Sequence, residues 1–309
     1  MTTRLVPSES ATIQAAIDYF AGLGSLVGTG ENKILVSAGT YTEDLSGAGL
    51  TTDATGYVTI EKSGAGEVLI VTTTGINLNN AGTYNGLRSC HAQASATMAS
   101  GVNVVNAAGH TFFESGEISN PNARDVNGFR GGSGVTSGAR IDDSILHGFS
   151  TLYKAAISAT DGNAKRCTVY NSRRGIASGT ATDCVVVGST DYDFGATATK
   201  LNCASSDTTA DGTSCIINIV AATEFVDAAG GDYTLDGASQ LIDAGSTGNN
   251  IGVDQTTTGA TTLTADSITA APIYAGTTVT IDLSNATNAA GKTLSIPQGA
   301  LTATAQDIN

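Results

Sequence analysis

Few residues of this 309-residue chain combine a type and a spacing that could do chemistry. The strongest set is Asp142-Asp143, with His147 a few residues on. Cleavage of a glycosidic bond needs two carboxylates across a groove, one as acid and the other as base or nucleophile. Here a second carboxylate motif is missing. Asp at a chain corner satisfies backbone groups in its own right, so Asp142 and Asp143 are expected at a corner rather than in a catalytic pair. Asp191-Tyr192-Asp193 and Arg173-Arg174 contain the parts of a calcium-dependent elimination, an acidic ion site and a cationic base. Nothing in their spacing joins them. Asp207-Thr208-Thr209-Ala210-Asp211-Gly212 opens like a calcium loop, but its twelfth position is Asn218, where a bidentate Glu would close the ion's shell. An ordinary polar turn is expected there.

The segment Gly128-Phe129-Arg130-Gly131-Gly132-Ser133-Gly134 lacks the Gly-Lys-Ser/Thr ending of a phosphate loop and reads as a flexible connection. Arg124 and Arg130 beside it are expected to be solvated or paired with acidic groups. His91, His110 and His147 include no metal-spaced pair. The five cysteines (Cys90, Cys167, Cys184, Cys203 and Cys215) are odd in number, irregularly spaced and without a Cys-x-x-Cys pair. That is a poor disulfide framework and a poor zinc site. Small buried thiols inside stacked structure explain them better. No residue is therefore assigned to catalysis, to a cofactor or to a metal. With no Trp and nine scattered Tyr, an extended cleft for stacking sugar rings is not expected either.

The net charge of −14 argues against nucleic acid as a partner, since phosphate binding needs clustered Lys and Arg. It favours a soluble, dispersed surface. No stretch approaches a membrane span, and Met1 to Pro7 offers no apolar run for a signal sequence. Synthesis and folding in a cytoplasm are expected.

Any functional group must be positioned by short elements, because Gly is abundant at 38 residues and Pro is sparse at 4. Between Ala139 and Ala204 one pattern returns four times. Arg140-Ile141-Asp142-Asp143-Ser144-Ile145-Leu146 is echoed at Lys165–Tyr170, at Thr182–Val187 and at Lys200–Ala204. In each, a small residue (Ser144, Cys167, Cys184 or Cys203) follows polar ones. Returns on this scale are the signature of a stacked repeat, in which one unit buries its apolar face only against its neighbours. Residues 11–24 predict the one helix. Ile13, Ala16, Ile17, Phe20 and Leu23 make an apolar face, Ser10 or Thr12 can cap its start, and Gly22 and Gly24 can stop it. Such a helix would cover the open end of a solenoid. Lys33–Val36, Tyr57–Glu61 and Val68–Val71 read as strands, the last as a run buried on both faces. Residues 205–255 read as a last irregular coil, and the composition shifts to Thr, Ala and Gly near residue 256.

At these residues a resemblance enters. Thr12-Ile13-Gln14-Ala15-Ala16-Ile17-Asp18, followed by Ile34-Leu35-Val36-Ser37-Ala38-Gly39-Thr40-Tyr41-Thr42-Glu43, resembles the opening of right-handed parallel β-helix proteins of the pectate lyase-like superfamily. Thr51 to Val58 adds a second match. Phe225 to Leu235 and Ser239 to Gly245 resemble the final coil of β-helix proteins encoded by bacteriophages and prophages. Leu263 to Pro272 is similar to Thr/Ala/Gly-rich extensions found after such domains. The resemblance implies an all-β fold: a right-handed parallel β-helix over 1–255 with an N-terminal capping helix, then a small β-rich docking or oligomerisation module over 256–309. The Asp-Asp and Gly-His-Gly patterns of polygalacturonases are matched poorly, since Leu146 precedes His147.

The resemblance further implies a non-enzymatic virion structural protein. The expected forms are a capsid decoration protein or a head or tail fibre on the virion surface, trimeric and bound to the major capsid protein or to tail proteins. The alternative is a tailspike-like receptor-binding protein or depolymerase engaging a host surface glycan. A secreted adhesin is a third reading and lacks a visible export signal. Neither nucleic acid nor membrane is expected as a partner.

Overall fold

The computed structural model describes residues 2–78, 84–107, 110–131, 138–151, 154–160 and 162–253. The expected module at 256–309 and the end of the glycine-rich segment, 132–134, lie outside them. The described chain is a parallel β-helix of about six turns. Twenty strands, from Thr3–Val6 to Ala204–Ser205, join through parallel ladders. Three faces repeat. In the central coil they are Phe112–Glu114, Glu117–Ser119 and Asn127–Gly131, each hydrogen-bonded to its counterpart in the next coil, Arg140–Asp142, Ile145–His147 and Ala155–Ala159.

Alternation along each strand sends one set of side chains inward, and parallel register stacks them. The first face contributes Ile34, Ile60, Leu87, Phe113, Ile141 and Ala164 in one column. The second contributes Ile70, Ala92, Ile118, Leu146, Val169 and Val186. The third contributes Leu45, Ile76, Val105, Phe129, Ile157, Ile176 and Phe194. All are buried. Val68–Val71 differs from expectation: Val68 and Ile70 are buried, but Leu69 and Val71 face outward and are partly exposed, because this face is bare at its lower end.

The repeated pattern is the corner between the first and second faces. Asp143, Arg166, Asp183 and Asn202 turn the chain with φ of 49° to 55°, the left-handed region that short polar residues tolerate best. Ser89, Ser115 and Ser214 turn equivalent corners that the sequence did not reveal. The residues after the corners stand in a single register column, Cys90, Gly116, Ser144, Cys167, Cys184, Cys203 and Cys215, with Cys90, Ser144, Cys167, Cys184 and Cys203 buried. Only a small side chain fits there. Each thiol donates to the carbonyl two residues back, as in Cys184 Sγ to Thr182 O at 3.3 Å. Ser144 Oγ does the same to Asp142 O at 2.6 Å.

The expected helix is Ile13–Gly22, with Ile13, Ala16, Ile17 and Phe20 buried over the first coil. Of the two candidate caps Thr12 is the one used, accepting from Ala15 N at 3.0 Å. Gly24 takes the left-handed stop with φ of 81°. The Glu43 carboxylate accepts from the Ile13 and Gln14 amides at 3.0 and 2.9 Å. It thereby compensates free N–H groups and the positive end of the helix dipole. Thr12→Ala should destabilise the capped end by about 1 kcal/mol, read as a lower urea midpoint with an unchanged slope.

Residues 205–253 are not simply a last irregular coil. Thr213 and Ile216 continue the ladder through single bridges to Leu201 and Ala204. The chain then leaves the stack and lies along the outside of the second face. A hairpin of Phe225–Asp227 and Asp232–Leu235 forms there. Ile219, Phe225, Tyr233, Leu241 and Ile251 pack on Ile145, Val185 and Val187, which point outward from the solenoid. Sequence alone gave no way to see that these strand residues needed a cover.

Polar clamps fix this strap. Asp183, a corner residue fully buried here, accepts from Ser246 N at 2.7 Å and from the Ser246 hydroxyl. Its carbonyl accepts from Gly252 N at 2.7 Å. Gly252 has φ of 93°, and a Cβ there would lie 2.6 Å from Val185 Cγ1, so only glycine fits. Buried Glu224 gathers Ser239 Oγ, Gln240 N and Gln240 Nε2 at 2.6, 3.0 and 2.8 Å.

Candidate functional site

Chemistry-bearing side chains collect in two places on the outer surface. The first is the lower second face, at the edge of the strap, where the Tyr233 ring lies 6.0 Å from that of His147. Parallel register places His91, Glu117 and Ile145 in one outward column and Gln93, Ser119 and His147 in the next. The Glu117 carboxylate lies 2.7 Å from His147 Nε2 and 3.2 Å from His91 Nε2. Glu67 meets His91 Nδ1 at 2.6 Å, and Ser119 Oγ meets His91 Nε2 at 2.6 Å. A shallow trough of about 500 Å³ runs beside them, bordered by Lys62, Glu67, His91, Glu117 and Asp143.

Ser119, His91 and Glu67 stand in the order of a nucleophile, its base and the base's orienting carboxylate. Two features oppose that role. Ser119 is 1% exposed, and its hydroxyl is already engaged by His91 and Gln93, so it does not face a substrate carbonyl. Glu117 competes for the same imidazole nitrogen. The arrangement instead stitches coils together, with each contact joining residues one turn apart.

Burial alone would push the Glu117 carboxyl up. The hydrogen bond from His147 and the charges of His91 and His147 outweigh it and hold the group below its ordinary value. A carboxyl depressed by folding contributes stability that is present above the unfolded value, about pH 4.3, and lost as pH falls through the folded one. Glu117→Gln should therefore flatten the acid limb of stability against pH below that point. Equal acid sensitivity in variant and parent would contradict the pairing.

The second place is the first face. Its outer columns carry a ladder of alternating charge. Lys33 pairs with Glu61 at 2.8 Å, and Arg88 reaches Glu31, Glu61 and Glu114 at 3.3, 3.3 and 3.1 Å. Arg140 pairs with Asp142 at 3.2 Å. The Phe112 ring lies over Gly86, where a Cβ would sit 2.0 Å from it, with the Arg88 and Arg140 guanidinium carbons 5.4 and 5.1 Å from the ring centre. Tyr84 stacks on His110 at 4.3 Å, and both line a hollow with Tyr57, Phe112 and Arg140. The aromatic residues are thus not all scattered, contrary to the sequence expectation.

Asp142 and Glu114 are register partners in adjacent coils. Burial raises the Asp142 carboxyl, Arg140 opposes this, and Asp143 and Glu114 add to the rise. A raised acid beside a second carboxylate is the kind of pair that glycoside cleavage uses. Here both carboxylates are engaged by guanidinium groups.

The other sequence candidates separate. Asp143 pairs with Arg166 in the next corner, away from Asp142 on the first face and His147 on the second. Asp191 does meet Arg174 at 2.9 Å and Arg173 at 3.7 Å, a contact the sequence did not suggest. Asp193 instead turns inward and accepts from Ser206 N and Oγ at 2.6 and 2.7 Å. Asp207 accepts from Thr209 N at 2.8 Å, an ordinary polar turn. Arg130 is exposed, and Arg124 Nε donates to Met98 O at 2.8 Å. All five cysteines are free thiols. Among the described residues no helix is long and apolar enough to cross a membrane.

Comparison with protein-family models, with curated proteins and with solved structures finds no match.

Proposed function

We propose that this chain is a non-enzymatic structural protein on the surface of a bacteriophage particle, as a capsid decoration protein or as part of a head or tail fibre. The observation that carries the structural part is the use of the polar surface. On both faces, ionisable side chains are taken up in contacts between coils, Arg88 with three carboxylates and Glu117 with two histidines. Such stitching stiffens a rod and leaves few groups free for turnover. The net charge of −14 keeps crowded copies dispersed. The phage assignment rests on the resemblance of residues 12–18, 34–43, 225–235 and 239–245. On this reading the partners are the major capsid protein or tail proteins, and the protein is a trimer matching three-fold positions.

One observation favours a second reading, a tailspike-like protein that binds or cleaves a host surface glycan. The hollow of Tyr57, Tyr84, His110 and Phe112 adjoins Glu114 and Asp142. The two readings separate by experiment. Immunogold labelling of purified virions should decorate the particle surface, and the chain should leave a panel of surface polysaccharides uncut. Cleavage that disappears in Asp142→Asn and Glu114→Gln variants would overturn the non-enzymatic reading.

A further inference from the structure

The inward column at the first corner ends in Cys215, whose setting differs from that of the other cysteines. Cys167, Cys184 and Cys203 are buried. Each thiol reaches two carbonyls, one in its own coil and one in the coil before, as Cys203 Sγ does with Leu201 O at 3.3 Å and Ala181 O at 3.4 Å. Cys215 is partly exposed. It keeps one long contact, to Thr213 O at 3.5 Å, and its sulfur leans toward its neighbour, accepting from Cys203 N at 3.2 Å.

The two residues are in register. Asn202 N donates to Thr213 O and Ile216 N to Cys203 O, at 2.9 and 2.8 Å. This is the corner geometry of every coil below. Register partners in parallel sheets stand about 4.8 Å apart, inside the window of roughly 4.4 to 6.8 Å between Cα atoms that a disulfide spans. The pair also sits where the regular ladder ends, since the last coil continues it through single bridges at Thr213 and Ile216.

We propose that Cys203 and Cys215 form a redox-modification site, which a low-molecular-weight disulfide such as oxidised glutathione converts to an intramolecular disulfide that staples the last coil to the one before it. The Cys215 thiolate attacks one sulfur of the reagent and releases one glutathione thiolate. The Cys203 thiolate then attacks the Cys215 sulfur and releases the second. The protein loses two hydrogens and two electrons, and two molecules of reduced glutathione carry them. The contact with Cys203 and then burial push the Cys215 thiol above its ordinary value. The exchange is therefore slow near neutrality and accelerates about tenfold per pH unit while the thiol governs the rate.

The test uses the full folded chain, reduced, freed of reductant and incubated with oxidised glutathione under mild alkali. It is then alkylated in denaturant and digested with trypsin. Cys203 and Cys215 are the only cysteines of the tryptic peptide spanning 201–292, so its mass identifies the pair. The expected peptide is unalkylated and lighter by two hydrogens than its reduced form, with Cys90, Cys167 and Cys184 alkylated and the circular dichroism of the chain unchanged. In Cys203→Ser, Cys215 should accumulate one glutathione. Alkylation of both cysteines, glutathione left on Cys215 of the parent, no adduct in Cys203→Ser, or oxidation only on unfolding would each overturn the proposal.

Discussion

Phe113→Ala is expected to lower the stability of the solenoid by about 3 to 5 kcal/mol, the usual cost of emptying a fully buried aromatic site. Phe113 has no exposed surface. It stands mid-column between Leu87 and Ile141, and its ring fills the space beside Gly116, where a Cβ would lie 2.8 Å from it. Core side chains stack mainly on those of the adjacent coils, so the void is not shared across a globular core. The loss should appear as a reduced denaturant midpoint and as faster amide exchange centred on Leu87, Phe113 and Ile141. Phe113→Leu keeps most of the volume and should cost less than half as much. A change below about 1 kcal/mol for the alanine variant would mean that the stacked column does not carry the fold.

Asp183→Ala should release the strap. The carboxylate accepts two hydrogen bonds from Ser246 in a site with no exposed surface, and charge-assisted bonds of this kind contribute about 1.5 to 3 kcal/mol each. Alanine also tolerates the corner's φ of 55° poorly. We expect about 3 kcal/mol less resistance to local opening over residues 219–253, read by amide exchange and limited proteolysis, with dye binding to newly bared Ile145, Val185 and Val187. Asp183→Asn keeps an acceptor and a side chain suited to the left-handed region, so its loss should be smaller. Unchanged protection of 219–253 in the alanine variant would show that apolar contacts alone hold the strap.

The parts of this architecture that were legible in the sequence are those coded locally. Ile13, Ala16, Ile17 and Phe20 announce the cap by spacing alone, and the helix starts at Thr12 as capping chemistry requires. The corners at Asp143, Arg166, Asp183 and Asn202 announce the coil because a polar residue that accepts positive φ precedes a small one. The corners at Ser89 and Ser115 use the same geometry with less distinctive residues, and the variable third-face loops obscured their spacing. Contacts between distant coils left no local trace. Arg88 meets Glu31 across 57 residues, and Tyr57, Tyr84 and His110 come together only once the register is known. The strap was illegible for a related reason. Outward Ile145, Val185 and Val187 look in sequence like ordinary strand residues, and only their uncovered position demands the cover that Phe225, Tyr233 and Leu241 provide.

The most direct test of the proposed virion role is electron cryomicroscopy of particles of a phage that encodes this chain, beside particles from which its gene has been deleted. Density with the coil repeat of parallel strands, about 4.8 Å, is expected at regular positions on the capsid shell or along a fibre, and is expected to be absent from the deletion particle. Identical density in both particles would contradict that role.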